Sequence, residues 1–72
     1  MEQFLAERYV SPADVTRVAA RLRELASSAD VHLLQTFYIP DEELCFFIFE
    51  SESRERVLQL SRFDRVSTAV ME

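Results

Sequence analysis

The chain has 72 residues, of which 49% are apolar and 29% charged, a composition typical of one globular domain over residues 1–72. Thirteen carboxylates against eight basic residues, all of them arginine, give a net charge of -5, which argues against a nucleic-acid or anionic-membrane surface. The single cysteine excludes an intrachain disulfide, and no apolar stretch approaches the roughly 20 residues that span a bilayer. With no signal-peptide pattern at the N-terminus, we expect a cytoplasmic protein without nucleic-acid or membrane partners.

The first two elements differ in the period of their apolar residues. Residues 4–10 alternate as a β-strand does. Residues 11–14 then offer Ser11 as an N-cap and Pro12 at the first helical position. The helix that follows should end near residues 27–30, without a glycine. Its apolar residues fall on one face, at offsets of three and four: Val15, Val18, Ala19, Leu22, Leu25 and Ala26.

Residues 31–39 and the apolar run 44–49 are predicted to form an antiparallel hairpin around the turn 40–43. The run 44–49 is apolar on both faces, so both sides of the sheet should be covered, and Cys45 reads as a small core residue. If Ile39 faces Leu44, one face carries Leu33, Gln35, Phe37, Ile39, Leu44, Phe46 and Ile48, and the other carries His32, Leu34, Thr36, Tyr38, Cys45, Phe47 and Phe49.

The last two elements are a short helix over residues 54–61, capped by residues 51–53, and a partly exposed edge strand over residues 65–71. Val57 and Leu60 should point inward from the helix. The resulting order βαββαβ predicts an α+β, ferredoxin-like fold, in which both helices cover one face of a four-stranded antiparallel sheet with the first and third strands central. Two short helices cover one face only, so the other should meet a second copy of the chain or a ligand.

Four segments carry a resemblance to a known family: Phe-Leu-Ala-Glu-Arg-Tyr at 4–9, Pro-Asp-Glu-Glu at 40–43, Cys-Phe-Phe-Ile-Phe-Glu-Ser at 45–51 and Phe-Asp-Arg-Val at 63–66. In this order they resemble a family of small, mostly uncharacterised bacterial ferredoxin-like proteins, one member of which is described as nickel-binding. The resemblance implies a subunit that pairs through its open sheet face into a dimeric α/β barrel and holds a metal or small molecule. The chain departs from the family in a shorter connection before Phe63, which could remove one wall of a pocket.

His32 is the only histidine and the first candidate metal ligand, because imidazole is a favoured donor for nickel and zinc. Such a site needs further donors, and carboxylates such as Glu7 or Glu50 would have to converge on His32, across a dimer interface. Glu7 and His32 should not share a metal within one subunit, since the third strand lies between theirs. The alternative is an exposed histidine at the end of a strand.

Glu7, Tyr9 and Tyr38 are candidates for the polar end of a ligand cavity between two sheets, in which the tyrosines donate hydrogen bonds. Tyrosines at a subunit interface without a ligand are the alternative reading. The acidic segment 41–43 lacks the spaced oxygen ligands and the glycine of a calcium loop, so it reads as a solvated hairpin tip.

These patterns leave three functions open. The first is a cytosolic, non-enzymatic homodimer that binds a metal, nickel by resemblance, or a small ligand. The second is a cofactor-free barrel enzyme of oxygenase or isomerase type, with His32 as base and Tyr9 and Tyr38 orienting a small aromatic substrate, although the chain has no nucleophile motif and no glycine. The third is a structural or regulatory subunit that binds another protein through the same apolar face.

Overall fold

The computed structural model describes residues 1–69. Across these residues the chain forms the predicted βαββαβ order, and the ferredoxin-like prediction is confirmed. The sheet has the strand order β2-β3-β1-β4, all neighbours antiparallel, so the first and third strands are central as predicted. The elements are β1 (Glu2–Tyr9), α1 (Val15–Ser28), β2 (His32–Ile39), β3 (Leu44–Ser51), α2 (Arg54–Leu58) and β4 (Arg65–Thr68).

The start of α1 differs from the prediction. The helix begins at Val15 with Asp14 as N-cap, because Ser11 closes a separate turn: the Asp14 amide donates to the Ser11 carbonyl at 3.0 Å. The Asp14 carboxylate accepts from the Ser11 hydroxyl at 3.0 Å and pairs with Arg17 at 3.1 Å. Hydrogen bonds from Arg17 first, then from Ser11, hold the pKa of Asp14 below its ordinary value.

The end of α1 lies where the sequence placed it. The helix stops at Ser28, and Asp30 supplies the left-handed residue, with φ of 58°, that glycine usually provides. Aspartate tolerates this conformation better than most residues. Along the helix, Val18, Leu22 and Ala26 recur every fourth residue and are all buried against the sheet.

The hairpin has the predicted four-residue loop, with Ile39 opposite Leu44. Pro40–Glu42 form a single 3-10 turn, and Glu43 adopts a left-handed conformation with φ of 52°. All three acidic residues of the loop are exposed, as expected of a solvated tip. The predicted pairing holds from Ile39 back to Gln35, where a bulge interrupts it.

The core lies between the helices and the face of the sheet that Phe47 and Phe49 occupy. Both phenyl rings are fully buried, and each packs against Phe63, with ring centroids 6.2 and 5.9 Å apart. Phe63 therefore anchors the short connection between α2 and β4 to the core. Val57 and Leu60 are also buried, as predicted for the second helix.

The two C-terminal elements are shorter than predicted. Ser53 caps α2 by accepting from the Arg56 amide at 3.4 Å, within the predicted capping segment, but the helix ends at Leu58 rather than at residue 61. β4 ends at Thr68, and the remainder of the strand predicted to residue 71 lies largely outside the described residues. No helix within residues 1–69 combines the length and apolarity needed to cross a membrane.

Cys45 is fully buried, as its position in the apolar run predicts, and burial raises the pKa of its thiol. We expect a thiol reagent at pH 8 to modify it at least about a hundredfold more slowly in the native protein than in urea, because reaction requires opening of the core. The urea-unfolded chain is the control for intrinsic reactivity. Native labelling within tenfold of that rate would show that the central strand opens readily.

Candidate functional site on the open face of the sheet

One face of the sheet carries no helix within the described chain. The strand register defines this open face by its outward positions: Gln3, Leu5, Glu7 and Tyr9 on β1, His32, Gln35, Phe37 and Ile39 on β2, Leu44, Phe46, Ile48 and Glu50 on β3, and Arg65 and Ser67 on β4. This resolves the choice that the sequence left open. The face that contains Phe46 is uncovered, and the face that contains Phe47 forms the core.

The centre of the open face is apolar, and polar groups surround it. Leu5, Phe46 and Ile48 lie on the two central strands and are only partly buried. Beside them, Phe37 is 51% exposed and Tyr9 64%. An apolar centre with a polar rim is the usual anatomy of a protein interface.

His32 reaches the open face because of the bulge in β2. Without the bulge it would share the core face with Phe49, as the predicted register had it. The shift between Leu33 and Gln35 instead sets Leu33 opposite Phe49 and His32 opposite Glu50. Leu33 accordingly packs against the core, whereas Leu34 and His32 are exposed, so the predicted positions of these three residues were wrong.

His32 and Glu50 line a surface cavity of about 430 Å³, which Asp30 and Arg23 also border. An imidazole and a carboxylate suit a divalent transition metal, but a protein site needs three or more donors. Within residues 1–69, no three side chains of the His, Cys, Asp or Glu type lie close enough together to hold a metal ion. One subunit therefore presents fewer donors at this edge of the sheet than a metal site requires.

Glu7 lies on the open face but away from His32. It is opposite Phe46 on β3, whereas His32 is opposite Glu50, four residues further along that strand, or about 13 Å at roughly 3.3 Å per residue. The Glu7 side chain is 21% exposed, and its carboxylate pairs with Arg65 of β4 at 3.8 Å. Glu7 and His32 are therefore separated within the subunit, as expected from the strand order.

Tyr9 and Tyr38 do not form the predicted pair. Tyr9 is on the open face at the end of β1, and its backbone amide donates to Asp64 at 2.9 Å. Tyr38 points to the core side, where its hydroxyl donates to the Val10 carbonyl at 2.7 Å. Burial first, and then the nearby Glu43 charge, raises the pKa of the Tyr38 phenol. The Tyr38 hydroxyl is therefore engaged in structure, and the predicted group of Glu7, Tyr9 and Tyr38 is split between two faces.

The proposed enzyme constellation is also dispersed within one subunit. Tyr9 is opposite Leu44 and His32 is opposite Glu50, which places them about 20 Å apart along β3 at roughly 3.3 Å per residue. A general base must come within hydrogen-bond reach of the proton that it removes. His32 and Tyr9 of the same subunit cannot both contact one small aromatic substrate.

Sequence reasoning missed one cluster, formed by Arg8, Arg17 and Arg21 on the covered side of the sheet. The i, i+4 spacing of Arg17 and Arg21 was visible in the sequence as part of the solvent face of α1. The approach of Arg8 to them depends on how β1 packs against the helix. Only the tertiary structure shows it.

Comparison with known proteins finds a similar fold but identifies no family. The structure superposes on the crystal structure of SCO4226 from Streptomyces coelicolor A3(2) with a TM-score of 0.80, covering 97% of this chain and 98% of that one at 13% sequence identity. No protein-family model and no curated protein matches the sequence. At such low identity, the likeness shows a shared ferredoxin-like fold over almost the full length of both chains.

Proposed function

We propose that this protein is a small, non-enzymatic homodimer that pairs through the open face and binds a metal ion, nickel in the first instance, or a small ligand at the edge of that interface. The observation that carries the proposal is the open face itself. It leaves half-exposed aromatic and aliphatic side chains uncovered at its centre and sets His32 opposite Glu50 at its rim.

A second copy of the chain suits this face better than solvent does. A domain of about this size buries only roughly 60% of its unfolded surface, so it gains much from pairing. A two-fold dimer brings the same patch together from both sides, which requires self-complementarity. The open face suits such pairing, because it combines an apolar patch with the ion pair of Glu7 and Arg65 and sets Glu50 opposite His32 at one end.

Pairing also supplies the donors that one subunit lacks. Each copy contributes one imidazole and one carboxylate at the same edge, so two copies could contribute two nitrogen and two oxygen donors. Nickel and zinc both accept such mixed sets, and nickel is the metal that the family resemblance suggests. If the two edges stay apart in the dimer, the cavity beside His32 instead offers a place for a small organic ligand.

The other proposed properties follow from the same picture. A buried free cysteine in a chain that can form no intrachain disulfide suits a reducing compartment, so we propose a cytoplasmic location. Dispersal of His32, Tyr9 and Tyr38 gives the enzyme alternative no support within a subunit. A different protein as the occupant of the open face is the remaining alternative, and the oligomeric state of the purified chain distinguishes it.

Native mass spectrometry of the metal-stripped protein, with and without added nickel, tests the proposal. We expect a dimer that takes up nickel in fixed stoichiometry. In the His32→Ala variant, nickel affinity should fall at least about tenfold, since loss even of a group that only supports a ligand costs 10–100-fold. Glu50→Gln should weaken binding in the same direction.

The matched control is Glu43→Gln, which removes one exposed carboxylate at the far end of the hairpin and should leave nickel uptake unchanged. If the protein is a dimer that does not bind nickel, the pairing part of the proposal stands and the nickel part is excluded. A small organic ligand would then be the next candidate. If the Glu43 and Glu50 variants lose nickel affinity equally, the binding is nonspecific attraction of a cation to an acidic protein.

A further inference from the structure

Three of the eight arginines border one small cavity on the covered side of the sheet. The cavity has a volume of about 100 Å³ and lies between α1 and the connection from α2 to β4. This is several times the roughly 10–15 Å³ that admits one water molecule. Its polar wall is formed by Arg8, Arg17, Arg21 and Ser61, and its apolar wall by Val18, Leu22 and Leu25.

Arg8 occupies an unusual position for a charged residue. It follows Phe4 and Ala6 on the core-facing side of β1, opposite the buried Cys45, and is only partly exposed. One of its terminal nitrogens donates to the Ser61 hydroxyl at 3.0 Å, and no carboxylate within residues 1–69 forms an ion pair with it. A guanidinium has five N–H donors, so Arg8 retains donors for a ligand.

Arg17 and Arg21 lie one turn apart on α1 and complete the wall. Their ion pairs, with Asp14 at 3.1 Å and with Glu24 at 3.6 Å, join exposed side chains three residues apart on the helix. Such exposed pairs contribute little free energy, so displacing them costs a ligand little. These carboxylates are the acidic groups that a ligand would have to displace from the two arginines.

We propose that this cavity binds a phosphate group, either as free phosphate or as the phosphate of a small monoester. Planar guanidinium groups match phosphate oxygens with paired hydrogen bonds. Three cations favour a group of charge near -2, as phosphate carries at pH 7, over a singly charged carboxylate. In a chain of net charge -5, gathering three arginines around one cavity with a hydroxyl creates a local field opposite to that of the whole protein.

Titration with inorganic phosphate and with methyl phosphate at constant ionic strength, followed by amide NMR shifts, tests the site. We expect saturable shifts at Val18, Leu22 and Ser61. The double variant R17Q/R21Q should weaken binding at least about tenfold and remain folded, because both side chains are exposed. The control R54Q/R62Q removes the same charge from exposed arginines that border neither this cavity nor the one beside His32, and should bind as the unmodified protein does.

Tighter binding of methyl phosphate than of inorganic phosphate would identify a monoester as the ligand, and equal binding would identify the free anion. Acetate should bind at least about tenfold more weakly than either. The proposal is overturned if no saturable binding occurs, if both double variants lose affinity equally, or if acetate binds as well as phosphate.

Discussion

Phe47→Glu is expected to leave the chain unfolded at 25 °C. Phe47 is fully buried at the centre of the core and packs against Phe49 and Phe63. Truncating a buried phenylalanine to alanine costs roughly 3–5 kcal/mol, and a buried carboxylate adds an uncompensated desolvation penalty. At roughly 0.05–0.15 kcal/mol per residue, a 72-residue chain has about 4–11 kcal/mol of stability to lose.

Circular dichroism and a urea titration would measure this effect. The conservative Phe47→Leu variant is the control, because it keeps the site apolar and should unfold cooperatively at a lower urea concentration. A cooperative transition for Phe47→Glu near that of the unmodified protein would mean that the covered face has been misassigned.

Phe46→Lys, one residue away, should instead yield a folded monomer. Phe46 points to the open face, and the new ammonium would lie opposite Glu7 on β1, where opposite charges are compatible with the sheet. In the proposed dimer the same ammonium would be removed from water at the interface, and the one carboxylate opposite it, Glu7, is already paired with Arg65. A cost of about 3 kcal/mol raises the dimer dissociation constant roughly a hundredfold, at about 1.4 kcal/mol per factor of ten.

Sedimentation equilibrium over a range of concentrations measures that change. Leu58→Lys is the matched control, since Leu58 is an exposed apolar residue of α2, 46% accessible and outside the open face. It should leave the dissociation constant unchanged. A Phe46→Lys protein that dimerises as tightly as the Leu58→Lys protein would mean that the open face is not the interface.

A monomeric unmodified protein would exclude the homodimer at once and leave a different protein as the candidate for the open face. Because folding and pairing are linked in small dimers, the stability of Phe46→Lys should be compared with that of the unmodified protein at concentrations where both are monomeric. Under those conditions we expect a difference below about 2 kcal/mol.

Much of the fold was predictable because local sequence patterns determine the type and the covered faces of each element. The 3.6-residue period of α1, the alternation in β1 and the doubly apolar run of β3 each reflect how many faces of that element are covered. The Pro-Asp-Glu-Glu loop fixed the pairing of Ile39 with Leu44, and from that pairing the register extends correctly to Gln35. The order βαββαβ then left few topologies, since connections are short and of fixed handedness.

The candidate site was predictable only in part. The sequence identified His32 as the sole imidazole, but its face depends on a bulge between Leu33 and Gln35 that no glycine or proline marks. A one-residue shift exchanges the two faces of a strand, so this irregularity moved His32 from the core side to a position opposite Glu50. The predicted register placed Tyr38 on the correct face of the sheet. Its hydrogen bond to the Val10 carbonyl, which removes it from the candidate ligand group, joins residues distant in sequence and could not be predicted from local patterns.

By itself, the sequence determined the elements, their order and the presence of two apolar sheet faces, of which two short helices could cover only one. The tertiary structure decided which face stays open, where His32 lies and that Arg8, Arg17 and Arg21 border one cavity. The reason is physical. Periodicity records the environment of each residue along its own element, whereas a binding site arises from side chains of different elements, whose meeting depends on register, bulges and packing.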